Sequence, residues 1–103
     1  MNQYLKKYMV AVQYPHLSGF EHLDMLMVRD KLAMTETELT TAESLQLKRS
    51  DNQLLSKARV FHNELAKVTE LAGEREQRTP PPDHWWWYLD VIAAMPSEKL
   101  LAA

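Results

Sequence analysis

Between Leu47 and Ala72 the apolar residues recur with a spacing that lines them up along one side of a helix. Leu47, Leu54, Phe61 and Val68 follow at intervals of seven, and Ala58, Leu65 and Ala72 each stand four residues after one of them. Alternating steps of four and three keep both rows on one face. Leu55 and Leu71 widen the seam to a breadth that suits a bundle helix as well as a coiled-coil strand. Asn52, Ser56, Arg59, Asn63 and Lys67 form the opposite, solvated face. Ser50-Asp51-Asn52-Gln53 reads as a helix start, with Ser50 accepting from the Gln53 amide. Gly73 is the residue best able to close the other end. The spacing therefore predicts a long central helix over about 51–72. Asp51, on the seam line at the first turn, is expected to cap this helix and not to be buried.

A chain of 103 residues is expected to form a single domain, 1–103, around one core. Only 2 glycines occur, and no Asn-Gly or Asp-Gly pair offers a tight hairpin, so a β-sandwich is disfavoured. Six Met with many Leu and Ala push toward helix. The expected fold is all-α, a bundle of four to five helices.

The flanks are read from punctuation. Residues 2–14 fit two patterns: Tyr4, Tyr8, Ala11 and Val12 share a helical face, while Tyr8, Val10, Val12 and Tyr14 alternate as in a strand. No second strand is on offer, so helix is preferred, ending at Tyr14-Pro15. Ser18-Gly19-Phe20-Glu21 opens a second helix whose apolar residues occupy much of its circumference, as for a segment between two neighbours. Met25, Met27 and Met34 read as flexible core filling. Thr40-Thr41-Ala42-Glu43 is a further start, and whether the chain breaks at Arg49-Ser50 is left open. Residues 74–82 read as a charged and then Pro-rich connector, with Pro80-Pro81-Pro82 a stiff spacer. Asp83 caps a Trp-rich C-terminal helix that Pro96 stops, and Ser97-Glu98-Lys99 begin a final turn toward Leu100 and Leu101.

Trp85-Trp86-Trp87 is the least ordinary feature. On an α-helix three successive residues spread over about 200° of circumference. Trp85, Tyr88, Leu89 and Ile92 share a stripe assigned to the core. Trp86 and Trp87 fall on the side of Asp90, so either this helix lies between two layers of its own domain or one of these rings faces a second subunit or partner. The candidate contact is placed on the second reading. The candidate partner-binding residues are Trp86, Trp87, Val91, Leu55 and Leu71. Stacking on single-stranded nucleic acid is disfavoured because Asp83 and Asp90 flank the rings, with no Lys or Arg until Lys99.

Motifs that carry chemistry are not present. With 0 Cys there is no disulfide, thiolate site or thiol nucleophile. His16, His22, His62 and His84 make no H-E-x-x-H, and no Glu stands three residues before any of them. His22 with Asp24, or His16 with Glu21, reads as a surface pair. Gly19 and Gly73 alone cannot build a phosphate loop. No catalytic, cofactor-binding or metal-ligating residue is assigned, and no enzyme is expected. A net charge of −2 gives no broad attraction to nucleic acid or anionic membrane. No stretch reaches the ~20 apolar residues that cross a bilayer. Lys6-Lys7 beside a short apolar run falls short of a signal peptide, since Gln13, Pro15 and His16 interrupt it.

Residues 39–59 loosely resemble a helix-turn-helix, with Leu45 and Leu47 about a turn and a Ser-capped second helix. That resemblance implies base contacts from Asp51, Asn52 and Gln53, with Lys48, Arg49, Lys57 and Arg59 near phosphates. The first expectation is instead a small cytoplasmic interaction or adaptor protein that self-associates or binds a protein partner. The DNA-binding regulator is the alternative.

Overall fold

In the computed structural model, which describes residues 1–96, the N-terminal stretch is helix α1, Gln3–Ala11. Leu5, Tyr8 and Val12, spaced three and four apart, are buried, while Val10 and Tyr14 of the alternating pattern face out. Asn2 caps α1 by accepting from the amides of Tyr4 at 2.8 Å and Leu5 at 3.2 Å. Its own N–H donates to Glu43 Oε2 at 2.7 Å, tying the start of α1 to the start of α3.

Helix α2 is Gly19–Met34, capped by Ser18, and it packs against α1 on one side and α4 on the other, as its apolar girth requires. Gly19 sits where a Cβ would come within 2.3 Å of the Glu64 carbonyl oxygen, so glycine is what lets α2 start against the end of α4. A short 3-10 turn, Glu36–Glu38, leads to α3, Thr41–Ser56. The cap of α3 is reciprocal: Thr40 Oγ1 accepts from the Glu43 amide at 3.1 Å, and Glu43 accepts from the Thr40 amide at 3.0 Å. These backbone donors, Thr40 first and then Asn2, hold the Glu43 carboxyl below its ordinary pKa. The chain runs unbroken through Arg49-Ser50, and Ser50 is buried mid-helix, not capping.

The long helix expected over 51–72 is divided into three. α3 ends at Ser56, Lys57 makes the turn, and α4, Ala58–Leu65, and α5, Leu71–Arg78, follow. At the first break Ser56 Oγ donates back to the Gln53 carbonyl at 2.8 Å, a bond that competes with the helical ladder and bends it. At the second, the β-branched pair Val68-Thr69 is a poor continuation of a helix, and the turn instead carries Leu71 into the interior. The seam itself survives the first break: Leu47, Leu54, Ala58, Phe61 and Leu65 are all buried. Removing such side chains from water contributes about 1.5–3 kcal/mol for each large one. Gly73 falls inside α5, and the helix closes at Thr79, whose φ of 44° is left-handed. The expected connector over 74–82 is thus helical as far as Arg78, and only Thr79 to Pro82 span the gap.

Trp85–Tyr88 form a 3-10 turn leading into α6, Leu89–Ala93. The turn changes the phase assumed for an α-helix. Trp86, Trp87 and Leu89 are buried, whereas Trp85 and Ile92 are half-buried and Tyr88 is exposed. The architecture is all-α, with no strand among the described residues and the core drawn from all six helices. The turn expected at Ser97-Glu98-Lys99, toward Leu100 and Leu101, lies outside the described residues.

Candidate functional site

Two stripes face each other across the junction of α1 and α2. Gln3, Lys7, Val10 and Tyr14 follow at steps of four, three and four on the first helix and its exit. Leu17, Glu21, Asp24 and Val28 repeat the same steps on the second. Between them lies an open cleft of about 520 Å³, floored by Tyr8, Ala11, His22 and Met25. Val10, Tyr14 and Leu17 remain 51%, 52% and 45% exposed, so the cleft carries apolar surface that no described residue covers. Its rims differ in charge: Lys6 and Lys7 stand on the α1 side, Glu21 and Asp24 on the α2 side.

The Tyr8 side of the floor is fastened to a buried polar node. Tyr8 donates its hydroxyl to Asp51 Oδ1 at 2.6 Å, and Arg29 meets the same carboxylate with two bonds of 3.0 Å. Burial first, and then the neighbouring Asp51 carboxylate, push the Tyr8 phenol far above its ordinary pKa, so it stays a proton donor. Asp51 is therefore not the helix cap that its place on the seam suggests: α3 turns it inward onto a cation. The Arg29 guanidinium carbon lies 4.2 Å from the centroid of the Trp86 ring. Arg29 Nη1 is buried without a hydrogen-bond partner among the described residues, and the indole face is its electrostatic substitute. Beside it, His22 hydrogen-bonds the Pro15 carbonyl through Nε2 at 2.8 Å and meets Phe61 edge to face. Burial depresses the His22 pKa below its ordinary value, against the partial pull of the Pro15 carbonyl and of Glu64 and Glu21.

The next residue of α2 organises the aromatic turn. Asp30 Oδ1 accepts from Trp86 Nε1 and Trp87 Nε1, each at 2.8 Å, and lies 2.9 Å from His84 Nδ1. Two adjacent indoles thus converge on one carboxylate oxygen, each donating its N–H to it. From the other flank Arg75 pairs with Asp90 at 2.7 Å and donates to the Trp87 carbonyl at 2.9 Å. Burial works against the Asp90 charge, but the Arg75 hydrogen bond and charge prevail and hold its carboxyl below the ordinary range.

Several candidates thus change place. Trp86 and Trp87 are only 2% and 0% exposed, and Leu71 is also buried. Their side chains offer no surface, because two buried indole N–H groups need an acceptor and α2 supplies it inside. Val91 is exposed, and Leu55 is half-buried beside a small cleft of about 170 Å³ shared with Arg59 and Ile92. The helix-turn-helix resemblance fails in its geometry: α3 has no turn at Leu45–Leu47, and Asp51 faces Arg29, not outward. His22 bonds to Pro15 and not Asp24, and it is His84 that pairs with a carboxylate.

Sequence reading missed the α1–α2 cleft and the polar node alike. The available signals were Val10 and Tyr14 lying off the face of Leu5, Tyr8 and Val12, and Arg29-Asp30 following directly on the apolar run Met25 to Val28. Among the described residues no group of His and carboxylates is placed to hold a metal ion, and no helix is long and apolar enough to cross a membrane. Comparison with protein-family models, with curated proteins and with solved structures found no match.

Proposed function

We propose that this chain is a small cytoplasmic helical interaction module, without catalysis of its own, whose α1–α2 cleft receives an apolar protein helix. The observation that carries this reading is the uncovered apolar surface of Val10, Tyr14 and Leu17 around a cleft of about 520 Å³. A helix laid in such a groove buries its apolar stripe, while charges on its two edges meet the rims. Here the rims select for an occupant with an acidic edge toward Lys6 and Lys7 and a basic edge toward Glu21 and Asp24. The firm floor, locked by Tyr8, Asp51 and Arg29, keeps the groove open without an occupant and lowers the ordering cost of binding.

The probe is a designed amphipathic peptide helix with one apolar stripe, a Glu-bearing edge and a Lys-bearing edge, titrated into the labelled protein and followed by NMR. Saturable shifts centred on Val10, Tyr14, Leu17 and Val28, abolished by Val10→Asp with Leu17→Asp, are expected. Both positions are exposed, so that double variant should keep the native helical spectrum. Shifts elsewhere, or none that saturate, would remove the groove as the contact face.

A further inference from the structure

Resting on that reading, we infer that the helices brought to the α1–α2 groove are α1 and α2 of a second copy of this chain, the two copies related by a two-fold axis running along the groove. The argument is one of charge and symmetry. A closed dimer uses one patch twice, so the patch must complement itself. A two-fold axis directed across this groove would set each basic rim against the other basic rim. An axis directed along it exchanges the rims: Lys6 and Lys7 of each copy meet Glu21 and Asp24 of the other. At the same time Val10, Tyr14 and Leu17 of each copy cover the exposed apolar surface of its mate. Among the described residues none of the four rim charges is engaged in an ion pair within its own chain, so all are available for that exchange.

The same two-fold makes the test specific. Lys6→Glu with Lys7→Glu makes both rims acidic, and Glu21→Lys with Asp24→Lys makes both basic. Each double variant then faces its own charge across the interface, and like charges opposed at an interface are strongly disfavoured. Sedimentation equilibrium of the full chain should show a dimer for the parent. Each variant alone should dissociate with its dimer constant raised by about a hundredfold. An equimolar mixture of the two variants should recover dimer, because all four rim contacts are then between opposite charges. Circular dichroism of each variant checks that the helices are intact. A parent that dimerises and is indifferent to both reversals, or variants whose mixture stays monomeric, overturns the two-fold arrangement. A parent that is monomeric at millimolar concentration yet binds the amphipathic peptide overturns the second copy while leaving the groove as a docking face. A parent that does neither removes both.

Discussion

Replacing Asp30 should reveal how much of the fold hangs on one carboxylate oxygen. Asp30→Ala removes the acceptor shared by Trp86 Nε1, Trp87 Nε1 and His84 Nδ1, at 2.8, 2.8 and 2.9 Å. A hydrogen bond to a charged group contributes about 1.5–3 kcal/mol, so three of them sum to roughly 5–9 kcal/mol if nothing replaces them. Something does replace them in part: the Asp30 side chain is 32% exposed, and water can enter the vacated volume to meet one or two donors. The expected loss is therefore about 3–5 kcal/mol, a large share of the 5–15 kcal/mol typical of a domain. Asp30→Asn keeps a carbonyl oxygen for both indoles and gives up only the charge, so it should cost about 1–2 kcal/mol. Urea unfolding followed by tryptophan fluorescence measures both, the indoles being the reporters. An Asp30→Ala variant within about 1 kcal/mol of the parent would refute the account, because buried indole N–H groups cannot be left unsatisfied so cheaply. So would an Asn variant as damaging as the Ala one.

The two glycines should respond oppositely to alanine. Gly19→Ala drives a Cβ to 2.3 Å from the Glu64 carbonyl oxygen and should destabilise by about 1–3 kcal/mol. Gly73→Ala, inside α5 with nothing within 4 Å of the new Cβ, should stabilise by about 0.5–1 kcal/mol. Equal signs in one set of urea curves would contradict the placement of α2 against α4. Stability should also fall on acidification through His22, whose pKa burial depresses in the folded state. Below its ordinary value near pH 6.5 the unfolded chain takes up a proton that the native one resists. The contribution is thus present above that pH and lost as the pH falls below it toward the depressed native value. His22→Gln should flatten that slope in denaturation curves measured across the range, and an unchanged slope would assign it to other groups.

What the linear chain determined by itself is what local rules and apolar spacing can specify. The all-α class follows from scarce glycine and helical periodicity. The starts at Ser18 and Thr40 follow from side chains that cap their own neighbours, and the buried line from Leu47 to Leu65 follows from a repeat that packing must respect. These features depend on residues only a few positions apart. The tertiary structure alone decided the rest. Whether Asp51 is a cap or an ion-pair partner depends on Arg29, which lies on another helix. Whether Trp86 and Trp87 face a partner or the interior depends on Asp30, more than fifty residues away in the chain. The α1–α2 cleft, too, exists only because two separate stripes are brought alongside. Hydrogen-bond satisfaction and charge pairing act through space, and a buried indole or guanidinium takes whatever partner the fold sets beside it, so neighbouring sequence carries no record of which one that is.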